Sequence, residues 1–188
     1  FMNYAYSDGP LKLLINTYQY LTYKLEREPV KITTYVEAPP GSGLGSSSAL
    51  VVALIAAIAE YYNIPLGEYD MAEYAVEIER KICDLPGGKQ DQFAAAFGGF
   101  NFMEFLKDGR TIVNPLRLNN KTQNMMELST VLYYVGKPRK DSRVIENTAK
   151  GLVSSETVLH ATHEIRNACI NYKRSLLMGD FDMISELM

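Results

Sequence analysis

Tryptophan is absent from this 188-residue sequence, and histidine and cysteine each occur only twice. Two cysteines far apart, Cys83 and Cys169, make neither the disulfide framework of a small secreted domain nor a zinc site, so a reducing cytoplasm is the expected compartment. An excess of positive charge is lacking too. Lys and Arg number 19 against 22 Asp and Glu, a net charge of -3, which excludes a protein whose main task is to coat nucleic acid or an anionic membrane. Long apolar runs are also missing. The longest, Ala49 to Ala59, is far short of the roughly 20 residues a membrane span needs. The opening Phe1-Met2-Asn3-Tyr4 shows no basic region before an apolar run, so no secretory leader is expected.

What is present is ordinary globular chemistry: 47% hydrophobic and 22% charged residues. A chain of this length buries roughly 70% of its unfolded surface, enough to fold without a staple. It corresponds to one large domain, or to one domain and part of another. The first residue is Phe1 and the last ones, Asp180 to Met188, read as a helix, so the expectation is that both ends continue in a longer protein.

Residues 11–25 carry Leu11, Leu14, Ile15, Tyr18, Leu21 and Leu25 at helical spacing. Residues 31–36 (KITTYV) alternate and are β-branched, which predicts a strand. A loop of two prolines and three glycines follows, then three serines suited to a helix start, then an apolar helix over about 47–62 closed by Asn63 and Pro65. A second helix is expected over about 70–82, with Asp70 and Glu73 at capping-box spacing and Met71, Ala75, Ile78 and Ile82 as its buried stripe. A second glycine loop, residues 84–90, precedes a short apolar segment over 91–97. Residues 100–105 and 111–113 flank the turn Lys107-Asp108-Gly109-Arg110, a hairpin signature. Residues 129–135 read as a strand, and helices are expected over about 142–150, 155–178 and 180–188.

The chemistry concentrates in PPGSGLGSSSA, residues 39–49. A strand is expected to enter this loop and a helix to leave it. Gly41, Gly43 and Gly45 permit left-handed backbone and a close approach by a ligand. First-turn amides backed by the helix dipole then form a phosphate site. No Lys follows Gly45, so this is not a Walker loop, and Ser46 breaks the dinucleotide pattern G-x-G-x-x-G. Without a lysine, phosphate charge must be met partly by something else. Magnesium on a serine hydroxyl at the helix start is the natural group, and Ser47 is placed to ligate it. Such an ion needs an anionic oxygen partner, and Glu79, Asp84 and Asp91 lie near the second glycine loop. A carboxylate between a glycine turn and an apolar run can also accept the proton of an acceptor hydroxyl in phosphoryl transfer. The competing readings are an exposed Glu79 paired with Arg80 or Lys81, and Asp91 as a helix N-cap.

Residues 39–49 resemble the second signature motif of the GHMP kinases, which include galactokinase, homoserine kinase and mevalonate kinase. Residues 77–105, EIERKICDLPGGKQDQFAAAFGGFNFMEF, and VNPLRL at 113–118 are similar to one branch, the D-glycero-D-manno-heptose phosphate kinases. The likeness is close over residues 31–135 and loose elsewhere. It implies an α+β fold in two lobes, residues 1–127 forming most of an ATP-binding lobe like the second domain of ribosomal protein S5. Residues 128–188 would start a ferredoxin-like lobe. It also implies a left-handed βαβ crossover in the first lobe, against the usual preference.

By position, the resemblance assigns the ATP phosphates to Pro40, Gly41, Ser42, Gly43, Leu44, Gly45, Ser46, Ser47 and Ser48. It puts Mg2+ on Ser47 and Glu79, and chooses Asp91, in the pair Asp91-Gln92, over Asp84 as the catalytic base. Lys89 is a weaker candidate for stabilising Asp91 or touching a substrate phosphate. The family's first motif and its C-terminal glycine-rich motif have no counterpart in these residues. The implied activity is an ATP- and Mg2+-dependent transfer to a hydroxyl of D-glycero-D-manno-heptose 7-phosphate, at C1, in nucleotide-heptose biosynthesis. The implied partners are small molecules, with a homodimer left open. The alternatives are another sugar, such as fucose or galactose, and a nucleotide-binding relative that does not catalyse. His160 and His163 share a helix face without a third ligand and read as surface residues, and Cys169 reads as a packing residue.

Overall fold

The computed structural model describes residues 8–9, 11–26, 28–38, 42–133, 151–152 and 154–187. Pro40, Gly41, the helix expected near 142–150 and the last two residues of the strand expected at 129–135 lie outside them. The described residues divide into two compact units, one ending at Gly98 and one beginning at Gly99.

In the first unit, helix α1 spans Lys12–Thr22. Its buried face differs from the expected apolar stripe: Asn16, Thr17, Leu21 and Thr22 point inward, while Leu11, Ile15 and Leu25 are exposed. The threonines are tolerated there because their hydroxyls bond back to the carbonyls of Leu13 and Tyr18, at 2.6 and 2.7 Å, which leaves their methyl groups to pack. Helix α2, Ser46–Tyr61, is apolar nearly all round and forms the centre of the core with Val51, Val52, Leu54, Ile55 and Ile58. It ends at Asn63, whose φ of 52° turns the chain so that Ile64 N–H reaches the Ala59 carbonyl at 2.8 Å.

Helix α3, Glu68–Val76, begins two residues earlier than expected. Its N-cap is Gly67, and Asp70 accepts the Gly67 N–H at 2.9 Å, the returning half of a capping box. It runs without a break into a π-helical turn, Glu77–Ile82, closed by Cys83 N–H on the Ile78 carbonyl at 2.8 Å. Ala75 and Ile78 join the core as predicted, with Met71 and Ile82 packed at its edge. Helix α4, Gln90–Phe97, buries Gln92 and Phe93, and the Phe93 ring sits 6.2 Å from Tyr69.

The second unit holds an antiparallel hairpin of β1, Asn101–Phe105, and β2, Thr111–Pro115, paired with Met103 opposite Val113. Helices α5 (Asn120–Ser129), α6 (Glu156–Met178) and α7 (Phe181–Leu187) also belong to it. Its core gathers Leu118, Leu176 and Ile184, with Met126 and Phe181 packed against them. Lys173 also places its ammonium 4.0 Å from the centre of the Phe102 ring.

Among the described residues, neither of two predicted strands is formed. Residues 31–36 are extended-loop chain, exposed, with no ladder partner among the described residues. β-Branched side chains favour extended backbone, but a strand exists only when a neighbour pairs with it. Residues 130–133 are likewise irregular, because α5 takes the preceding ten residues, nucleated by the Asn119 side chain accepting the Thr122 N–H at 2.8 Å. The molecule is thus a mixture of helix and sheet, and no βαβ crossover occurs among the described residues. Cys169 is exposed rather than packed. No helix among the described residues is long and apolar enough to cross a membrane.

Candidate active site

The glycine loop enters α2 through two left-handed residues, Gly43 at φ 74° and Gly45 at φ 67°. The N-cap is Gly45 itself, and no side chain caps the helix, so the serines start the helix without capping it. The first intrahelical bond runs from Ala49 N–H to the Gly45 carbonyl at 3.0 Å. The N–H groups of Ser46, Ser47 and Ser48 therefore precede the ladder and stand at the positive end of a sixteen-residue helix. Leu44 is exposed at the loop, while the Ser42 hydroxyl is buried with no hydrogen-bond partner.

Opposite this helix start lies Glu79, only 1% exposed. The π-helical turn brings it there, and Leu85 N–H fixes the Glu79 carbonyl at 2.9 Å. A buried carboxylate needs donors. Glu79 has three: the Ser47 hydroxyl gives to Oε1 at 3.1 Å, the Ser48 hydroxyl to Oε2 at 2.7 Å, and the Gln92 amide also to Oε2. The Gln92 nitrogen reaches the Ser48 hydroxyl as well, at 3.1 Å. The reading of Glu79 as an exposed ion-pair partner is overturned. Lys81 pairs with Glu77 at 2.5 Å, and Arg80 turns to the second glycine loop.

Arg80 donates to the carbonyls of Leu85, Pro86 and Gly88 at 3.2, 3.3 and 2.9 Å. Gly87, at φ 148°, leaves room for that guanidinium, since a Cβ there would meet Arg80 Nη2 at 2.7 Å. The loop so held delivers the chain to α4. Lys89 is the N-cap of that helix and is exposed, and Asp91 sits in its first turn, so Asp91 is not the cap. The Asp91 carboxylate lies against the first glycine loop: a Cβ on Gly45 would be 3.2 Å from Asp91 Cγ and 3.5 Å from Oδ2. Asp84 is exposed at φ 48°, where it ends the π-helical turn.

The structure thus brings Gly45, Ser47, Ser48, Glu79 and Asp91 to one place. Of two further participants, Gln92 stands in the sequence only as the neighbour that marks Asp91, with no role of its own, and Arg80 carries no mark that separates it from Lys81. A separate concavity of about 640 Å³ lies between residues 29–35 and α2, and none of these groups lines it.

Residues 12–99 match the GHMP kinases N terminal domain. They belong to the GHMP kinase family. A D-glycero-alpha-D-manno-heptose 7-phosphate kinase of Campylobacter jejuni is 42% identical over 184 residues, which cover 97% of this chain and 54% of that protein. A crystal structure of a D-glycero-D-manno-heptose 1-phosphate kinase from Bacteroides thetaiotaomicron superposes with a TM-score of 0.79 at 41% identity, over 93% of this chain and 51% of that one. A galactokinase of Thermosipho africanus is 39% identical over 84 residues, 45% of this chain and 23% of that protein. The chain spans about half the length of the heptose kinases it matches, and over that span its fold is the α+β fold of the GHMP kinases.

The donor set fits magnesium. Ser47 and Glu79 offer hard oxygens, the Glu79 charge is met by neutral donors only, and the Gly45 backbone leaves a cradle beside Asp91 that a Cβ would fill.

Proposed function

We propose that this chain supplies the phosphate-binding and acid-base half of an ATP-dependent sugar kinase whose acceptor is D-glycero-D-manno-heptose 7-phosphate. The observation that carries the reading is the convergence of the uncapped α2 N-terminus, the buried Glu79 with Ser47, and the Asp91 carboxylate beside Gly45. Gly41 and residues 42–48 would cradle the polyphosphate through main-chain amides, and Pro40, which has no N–H, would only shape the loop. Ser47 and Glu79 would hold Mg2+, which, when bound, offsets the charge of the transferring phosphate. Asp91 orients the sugar hydroxyl and accepts its proton. The hydroxyl oxygen, taken to be that on C1, forms a bond to the γ-phosphorus as the bond to the bridging oxygen breaks, and ADP leaves with that electron pair. Lys89, the exposed N-cap of the same helix, would receive a substrate phosphate. The lobe boundary near residue 127 and a cytoplasmic setting belong to the same reading.

The heptose acceptor rests on the two relatives above, of whose length this chain spans about half and whose names differ in the position of the phosphate. The test is ADP release by the protein carrying this sequence, with heptose 7-phosphate, unphosphorylated heptose, galactose and fucose as acceptors. Turnover confined to the heptose phosphate is expected. A preference for galactose or fucose moves the protein to another branch of the family, and ATP binding without transfer to any acceptor makes it a non-catalytic relative. Asp91→Asn should bind ATP normally and lose turnover by about 10²–10⁴-fold, and wild-type-like kcat in that variant removes Asp91 from the role.

A further inference from the structure

Gln92 is wholly buried, yet its Oε1 has no hydrogen-bond partner. Its Nε2, by contrast, serves two acceptors, Glu79 Oε2 and the Ser48 hydroxyl. The orientation of the amide is therefore set by its nitrogen end. Reversed, the side chain would press a carbonyl oxygen against a buried carboxylate. Ser48, itself 1% exposed, donates to the same Oε2, so both inner donors converge on one oxygen of Glu79. The other, Oε1, is left to the exposed Ser47.

We infer that Gln92 is the positioning residue of this site. Resting on the metal reading of Glu79 above, its role is to pin Oε2 through the amide nitrogen so that Oε1 stays turned to Ser47 and available to a divalent cation. The placement of Gln92 gives it a second consequence. It follows Asp91 directly in the first turn of α4, so one helix start carries the proton acceptor on one side and the brace of the metal-ligating carboxylate on the other. Rotation of α4 that displaced Asp91 would also release Glu79.

The test separates bracing from mere packing. ATP affinity is measured with Mg2+ and again with EDTA, and their ratio is the magnesium gain. Gln92→Met keeps the volume and removes the donor. It should reduce the magnesium gain by about 10–100-fold, as loss of a group holding a metal ligand does, with the affinity in EDTA unchanged. A packing role would shift both affinities together and preserve the gain, and that result overturns the inference. Should Gln92→Met fail to fold, Gln92→Asn replaces it, because its amide is one methylene short of Glu79. The same loss of gain supports the inference, and an unchanged gain overturns it. A wild-type protein with no magnesium gain overturns the metal reading of Glu79 itself, a failure visible without any variant.

Discussion

A Cβ on Gly45 would stand 3.2 Å from Cγ of Asp91, so the first glycine loop and the first turn of α4 meet at a glycine and a carboxylate. At φ 67° the backbone of Gly45 is also left-handed. Gly45→Ala therefore faces both difficulties. It should cost about 1–2 kcal/mol from backbone strain alone, and it should displace Asp91. The expected outcome is a lower melting temperature together with a fall in turnover larger than the loss of folded protein explains. Turnover that simply tracks the folded fraction would show that the contact is incidental.

Glu79→Gln replaces an acceptor of three donors by a group with an amide nitrogen at one end. The Ser47 hydroxyl must then turn to accept from the new amide nitrogen, and the bonds from Ser48 and Gln92 lose the carboxylate's charge. Loss of hydrogen bonds to a buried charge should destabilise the protein by about 1.5–3 kcal/mol. Urea denaturation measures this. A variant as stable as the wild type would mean that the burial of Glu79 is already costly without a cation.

Arg80 holds the chain over residues 85–88 by three carbonyl contacts. Arg80→Met keeps much of the aliphatic stem and removes all three. The loop should open, and trypsin should then cut after the exposed Lys89 faster than in the wild type. An unchanged rate of cleavage at that bond would count against Arg80 as the clasp.

Tyr61 gives a pH prediction outside the site. The negative charge of Glu28, and then the 3.3 Å hydrogen bond from the phenol to Glu28 Oε2, hold the Tyr61 phenol above its ordinary value of 10.0. Because the folded value is raised, its contribution to stability is complete below pH 10 and is lost as the pH climbs through the folded value. Carbon-13 NMR of the tyrosine ring should show Glu28→Gln lowering the midpoint of this one tyrosine, and a midpoint that stays put would exclude Glu28 as the cause.

Much of the site was readable before the fold because its elements carry local signals. Glycines at 43 and 45 demanded unusual backbone, the long apolar run behind them demanded a buried helix, and Asp108-Gly109 marked a hairpin turn that the structure contains. The failures share another cause. KITTYV has strand composition but no partner among the described residues, and pairing is a property of two segments. Helix α5 is polar, NKTQNMMELS, and its strongest signal was the cap at Asn119 rather than any periodicity. The π-helical turn has the composition of the α-helix it extends, so nothing local announces that Glu79 is rotated inward and Arg80 toward the loop. Gln92 is legible as the partner of Asp91 in a motif, but its contacts are not, because a glutamine meets two acceptors only when tertiary structure places them in front of it.

Lys12, in the first turn of α1, donates its ammonium to the Cys83 carbonyl at 2.8 Å across 71 residues, and Asn16 reaches the Cys83 sulfur at 3.4 Å. The segment bearing Glu79 is thereby moored at its far end by a helix that contributes nothing else to the site. A truncation that began just past Asn16 would keep Gly45, Ser47, Glu79 and Asp91 and remove both tethers to Cys83, so on the proposed function the shortest fragment to test for nucleotide binding is drawn by these tethers and not by the motif.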